Sequence, residues 1–218
     1  MARMKTATPI RCLFVDIGGV LLTDAWDHHA RRRAEKRFKL DPAELRDRHH
    51  LFFETIEEGR ITLDEYLDRV VFYKKRLFTR AQFRRFMFEQ THPCPEMINL
   101  VRDLKLKYGL KVVVVSNEGR ELNEHRIRTF KLDGFVDAFI SSCFVHLRKP
   151  DAEIFRLALD VAQTPARRTV FIDNTPMFVQ VAESLGIRGI HHEDYKTTLA
   201  KLAALGLRNG EGAPLETR

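Results

Sequence analysis

At 218 residues the chain is long enough for one sizeable domain, or for one domain with a smaller insert. Its 44% hydrophobic and 31% charged residues are ordinary for a soluble globular protein, and no stretch approaches the ~18 apolar residues of a membrane span. The net charge of +7 favours anionic ligands, but the basic cluster Arg31, Arg32, Arg33, Lys36 and Arg37 is interleaved with acids, reads as a solvated helix face, and has no nucleic-acid signature beside it. Cys12, Cys94 and Cys143 lack metal-ligand spacing and read as reduced residues of a cytoplasmic protein.

Residues 1–8 are polar and read as frayed. Residues 10–16 read as a buried strand rich in Ile, Leu, Phe and Val, and Gly18 and Gly19 then allow a sharp turn. The apolar segment 12–22 is short and holds Asp16 and two glycines, which argues against a signal peptide. From about Asp24 to Gln90 the chain is charged, rich in aromatics and without a convincing strand. Helix starts stand out there: Asp41-Pro42 with Glu44, Thr62 with Glu65, and Thr79 before an apolar-spaced run. About four helices packed as a small unit are expected.

After His92-Pro93-Cys94-Pro95 the pattern turns α/β. Helices are expected over 95–108, 119–130, 151–162, 176–185 and 195–205, and strands over 111–115, 138–141, 168–173 and 187–191. Strands alternating with helices of this length predict a doubly wound parallel sheet covered on both faces. The boundaries read as a Rossmann-like core over 1–23 and 91–207, a helical insert over 24–90, and a disordered tail over 208–218.

Four blocks carry candidate chemistry. Asp16 ends a strand-like run and is either a sheet-end cap or a nucleophile, with the turn at Ile17, Gly18 and Gly19 offering backbone N–H groups to an anion. Ser116 ends VVVV, and Asn117 reads as opening a helix, where a hydroxyl and backbone amides bind phosphate; a plain N-cap is the alternative. Lys149, in RKPDAEIF, is either a surface lysine or a cation that offsets charge between a nucleophile and a phosphoryl oxygen. Asp173 ends VFID and is either a helix N-cap or, with Asp16, a Mg²⁺ ligand, with Asn174 adding an outer hydrogen bond.

In this order the blocks FVDIGGVLL, VVVVSN, SSCFVHLRKPDAEIF and FIDNTPMFVQVAESLGI resemble the haloacid dehalogenase (HAD) superfamily over about residues 10–206. The insertion point resembles the C1 helical cap of subfamily IA, and the first motif resembles a DxGG branch that includes sugar-phosphate phosphatases. The resemblance implies a Mg²⁺-dependent phosphatase. Asp16 would be the nucleophile, Ser116 the phosphate-binding hydroxyl, Lys149 the charge-neutralising lysine and Asp173 the metal-binding acid, with the Gly18 carbonyl as a further metal ligand.

Two departures matter. Gly18 stands where most phosphatases of the family carry a second aspartate that protonates the leaving group, and Asn174 makes the last block one charge less negative. Replacement acids near in sequence are Asp24, His28 and His29, with water as the other source, and both histidines read first as ordinary helix residues. Arg60, in the Glu58-Gly59-Arg60 turn, is a candidate contact for an anionic substrate. A capped site fits a small phosphorylated metabolite better than a macromolecule, with the chain a monomer or homodimer. The competing readings are a metal-free 2-haloacid dehalogenase and a protein that binds a phosphorylated ligand without turnover.

Overall fold

The computed structural model describes residues 9–209; the frayed start expected over 1–8 and the tail from 210 lie outside the described residues. Strand β1 (Cys12–Val15) is followed by five helices: α1 (His28–Phe38), α2 (Pro42–Glu57), α3 (Leu63–Val70), α4 (Arg80–Phe88) and α5 (Pro95–Tyr108). Strands and helices then mix as β2 (Lys111–Ser116), α6 (Arg120–Thr129), β3 (Ala138–Ser141), the short α7 (Ser142–Val145), α8 (Ala152–Ala162), β4 (Thr169–Asp173), α9 (Pro176–Ser184), β5 (Arg188–His191) and α10 (Tyr195–Ala204). All five strands run parallel in the order β3-β2-β1-β4-β5.

The apolar runs lack polar alternation because both faces of the sheet are covered. Leu13 and Val15 share one core with Val112, Val114 and Ile172, against Leu100 and Leu104 of α5 and Leu202 of α10. Cys12 and Phe14 point to the other face, with Val113, Val115 and Phe171, against Ile154, Phe155 and Ala158 of α8. Among the described residues no helix is long and apolar enough to cross a membrane.

Helices α1–α4 have an apolar cluster of their own, built around Leu63, Tyr66, Leu67, Phe83 and Phe86. This explains an aromatic-rich stretch without a strand: Phe38, Phe78 and Phe83 pack ring on ring, with centroids 4.5 and 4.9 Å from Phe38. The helix starts follow their sequence signals. Asp41 accepts from Glu44 N at 2.9 Å, and Thr62–Glu65 and Thr79–Gln82 each form a reciprocal capping box. The two crossings between this block and the sheet run side by side, with Thr23 N donating to His92 O at 2.8 Å and Cys94 N to Leu21 O at 2.9 Å.

Three details differ from the sequence reading. Helix α6 begins at Arg120 with Gly119 as its N-cap, so Asn117 lies in the loop before it rather than at its start. The Asn117 side chain is spent across the loop instead, as described below. Helix α7 was not anticipated; four residues are too few to show a helical period. The expected tail over 208–218 starts as ordered chain: Tyr108 Oη accepts from Arg208 N at 2.9 Å, and Lys107 Nζ donates to Arg208 O at 3.0 Å.

Candidate active site

Strands β2, β1 and β4 are adjacent, so the residues at their C-terminal ends meet. Val15 pairs with Val114 on one side and Ile172 on the other, which places Asp16 between the ends that carry Ser116 and Asp173. In an open parallel sheet this is the ligand-binding edge. Asp16 is nearly buried, and Ser116, Lys149 and Asp173 are buried.

Lys149 joins the blocks. Its Nζ lies 3.0 Å from Asp16 Oδ2 and 2.6 Å from Asp173 Oδ2. Burial opposes the ammonium charge, but Asp16 and Asp173 outweigh it and hold the Lys149 pKa above its ordinary value. Asp173 is raised to about 6, by burial first and by the Asp16 carboxylate next, against the pull of Lys149. The remaining carboxylate oxygens are fixed by backbone: Ile17 N donates to Asp16 Oδ1 at 2.7 Å and Thr175 N to Asp173 Oδ1 at 2.7 Å. The Ile17 N–H expected to serve an anion is therefore already taken.

Asn117 braces the lysine. Its Nδ2 donates to Lys149 O at 2.9 Å, and its Oδ1 accepts from Lys149 N at 2.8 Å. This is a positioning role that no sequence period could reveal, because the partners lie in two loops. Ser116 Oγ makes only a long 3.5 Å contact with Glu118 Oε1, which leaves its hydroxyl available to a ligand.

A cavity of about 400 Å³ opens over this edge, a size suited to a small ligand. The sheet supplies Asp16, Ser116, Lys149 and Asn174 to its wall, and the helical block supplies Trp26, Arg31, His49, Phe53, Glu57 and Tyr66. Gly19 adopts φ +69°, and a Cβ there would fall 1.9 Å from Asn174 Nδ2, so glycine lets the turn close against Asn174. At Gly18 a Cβ would lie 2.8 Å from Asp24 Oδ1. The Asp24 carboxylate thus stands in the space a side chain at position 18 would use. Asp24 is exposed as a residue, and its pKa is raised by the partial desolvation of its carboxyl and by Asp16 and Asp27.

The other candidates divide. His28 and His29 are exposed at the start of α1 and do not line the cavity; their Nδ/Nε atoms gather with the Asp27 carboxylate at the surface. Arg60 does not line it either; its guanidinium pairs with Glu58 at 2.9 Å and is largely exposed. The turn it belongs to packs inward instead, with Gly59 at φ +67° and a Cβ there only 2.3 Å from Cys143 O. Glu57, just before that turn, faces the cavity and pairs with Arg148 at 2.8 Å. Arg31 belongs to the run read as a solvated helix face, yet it lines the cavity while Arg32 and Arg33 are exposed.

A buried ion pair, Arg126–Glu118, lies beside the site, and Arg126 NH2 also donates to Thr23 O at 2.8 Å. It ties the loop after β2 to the crossing into the helical block. Burial raises the Glu118 pKa, against the pull of Arg126. Arg126→Met leaves that carboxylate buried and alone, and is expected to cost ~3–5 kcal/mol of unfolding free energy, read from denaturant titration. The loss shrinks as pH falls, because the native chain then takes up a proton on Glu118 before the unfolded chain does. Adding Glu118→Gln recovers most of the loss; no recovery would show that Arg126 acts through packing alone.

The model of haloacid dehalogenase-like hydrolases matches residues 10–186. The chain belongs to this family. Among curated proteins, this HAD hydrolase is 30% identical over 123 residues to a sesquiterpene phosphatase of Aspergillus oryzae, covering 54% of this chain and 62% of that protein. It is 25% identical over 134 residues to a phosphorylated carbohydrates phosphatase of Thermotoga maritima, covering 62% of this chain and 57% of that protein. It therefore spans less than two thirds of these relatives' length. A HAD family enzyme from Bacteroides thetaiotaomicron shares its fold, with a TM-score of 0.73, 24% identity, and coverage of 88% of this chain and 98% of that one. An L-2-haloacid dehalogenase does so at a TM-score of 0.61 and 22% identity, covering 84% and 86%.

Proposed function

We propose that this HAD hydrolase is a Mg²⁺-dependent phosphatase of a small phosphorylated metabolite, working through an aspartyl-phosphate on Asp16. The observation that carries the reading is the lysine ammonium shared by two nearly buried carboxylates, 3.0 Å from Asp16 and 2.6 Å from Asp173, where Asp16 and Lys149 line the cavity. The phosphatase names of the Aspergillus oryzae and Thermotoga maritima relatives support it.

In this reading an Asp16 carboxylate oxygen attacks phosphorus as the bond from phosphorus to the ester oxygen breaks. Lys149 and Ser116 hold the phosphoryl oxygens. The departing alkoxide takes a proton from Asp24, whose carboxyl fills the space left by Gly18. Water then attacks phosphorus, gives a proton back to Asp24, and releases phosphate and Asp16. Helices α1–α4 act as the cap that closes the cavity, latched to the sheet domain by Ser142 Oγ donating to Glu57 O at 2.6 Å.

The residues present fit a hard cation. Asp16 and Asp173 flank one lysine, and the Gly18 carbonyl accepts no hydrogen bond from the described residues. Asp16, Asp173 and that carbonyl would hold Mg²⁺, which supplies charge neutralisation at the phosphoryl group when bound.

The test is phosphate release from p-nitrophenyl phosphate and a sugar phosphate with Mg²⁺ or EDTA, beside halide release from 2-chloropropionate. Phosphate release that needs Mg²⁺, with no halide, is the expected result. Halide release indifferent to EDTA would overturn the reading in favour of a dehalogenase. Mg²⁺-dependent binding of phosphate esters without release would make the chain a binding protein.

A further inference from the structure

The helical side of the cavity holds a hydrogen-bond chain that the phosphoryl chemistry does not use. Trp26 Nε1 lies 2.9 Å from Tyr66 Oη, and Tyr66 Oη lies 2.7 Å from His49 Nδ1. The indole N–H can only donate, so it takes a lone pair of the Tyr66 oxygen. Tyr66 is fully buried, and its hydroxyl hydrogen therefore needs a partner, which His49 Nδ1 supplies. His49 then carries its own hydrogen on Nε2. Burial, with the Arg31 cation next, lowers the His49 pKa to about 3, so the ring stays neutral in this form.

Arg31 lines the cavity beside it. Its NH1 donates to Trp26 O at 2.5 Å, and among the described residues it joins no ion pair. The nearby acids are engaged elsewhere: Asp27 Oδ1 caps α1 through Ala30 N at 2.7 Å, and Glu57 pairs with Arg148 at 2.8 Å. Burial lowers the Arg31 pKa, against the pull of Tyr66, Asp27, Glu35 and Glu57. This corner thus offers the remaining guanidinium N–H groups and an imidazole N–H, beside the carboxylates of Asp27 and Glu57. The same cavity wall carries Phe53, Ile56 and Leu63 among its polar groups.

We infer that Arg31 and His49 form a distal subsite for a second oxyanion, so that the substrate is a phosphomonoester with an oxyanion at its far end. A guanidinium that joins no ion pair among the described residues, beside an imidazole N–H, matches an acceptor-only group, and a charge-assisted, bidentate contact is the strongest such match. The inference rests on the phosphatase reading for the near end of the ligand.

The test uses phosphonates, which cannot be hydrolysed, so it does not depend on turnover. Linear phosphonoalkanoates of graded length and their terminal amides are titrated into the full chain with Mg²⁺ by calorimetry. At one length the carboxylate is expected to bind about tenfold more tightly than its amide. In Arg31→Gln that preference falls to about twofold or less, while inorganic phosphate binds as before. The matching bisphosphonates separate the two sources: tighter binding than the carboxylate assigns a second phosphoryl group, and weaker binding assigns a carboxylate. Equal binding of carboxylate and amide at every length overturns the inference, and that comparison needs no variant. A preference that survives in Arg31→Gln also overturns it. Preference for the carboxylate with no phosphate release from any ester would sink the phosphatase reading alone.

Discussion

Asp16→Asn is expected to abolish phosphate release from every substrate, by on the order of 10⁴-fold or more, the scale on which loss of a covalent nucleophile acts. The amide keeps the shape of the carboxylate and can still accept from Ile17 N, so the backbone turn has no reason to move. What it loses is charge. Lys149 gives up one of two carboxylates and keeps the nearer one, Asp173 at 2.6 Å. Asp173 in turn loses the like charge that helps raise its pKa to about 6, which is expected to lower that pKa. Removing a repulsion from a nearly buried site offsets the lost ion pair, so the melting temperature is expected to stay within a few degrees of the parent. A stable chain without turnover places the loss in chemistry. Normal turnover by the variant would remove Asp16 as nucleophile and with it the aspartyl-phosphate.

Much of this molecule is legible in its sequence where one residue decides one thing locally. Thr62 with Glu65, and Asp41 before Pro42, mark helix starts because cap and backbone lie within four residues. The sheet is legible because strands buried on both faces must be apolar throughout, and so a polar residue ending such a run marks the edge where ligands bind. Asp16, Ser116 and Asp173 stand out for that reason. Lys149 stands out only through the order of the blocks, since nothing in RKPDAEIF tells a buried lysine from an exposed one.

The residues that sequence reasoning misplaced depend on contacts across the chain. Arg31 and Arg32 are neighbours of one type; packing of α1 within the helical block turns one to the cavity and the other to solvent. Asn117 reads as opening a helix, yet it lies in the loop before α6, where it lines the cavity and braces Lys149, 32 residues away in the chain. Glu118 and Arg126 were not singled out, because a buried ion pair looks in sequence like two surface charges eight residues apart. Tyr66 and His49 carry no motif at all, and their tautomer logic exists only once α2 and α3 are packed.

Asp24→Asn is expected to discriminate between substrates by their leaving groups. An alkoxide from a sugar phosphate must be protonated as it departs, whereas p-nitrophenolate departs unaided. General acid catalysis contributes ~10²–10⁴-fold, so phosphate release from the sugar phosphate is expected to fall by that factor while release from p-nitrophenyl phosphate falls by less than about tenfold. The pH profile gives a second reading. The acid must hold its proton, and partial desolvation together with Asp16 and Asp27 raises the Asp24 pKa. Turnover of the sugar phosphate is therefore expected to decline as pH rises through that pKa, and this decline disappears in the variant. Gly18→Ala tests the same idea by space. A methyl group 2.8 Å from Oδ1 pushes the carboxyl aside without removing it, and the expected defect is again confined to poor leaving groups. Equal losses on both esters would mean that Asp24 supports the site only structurally. In that case solvent water protonates the leaving group, and the carboxyl that fills the space at Gly18 is no catalytic replacement.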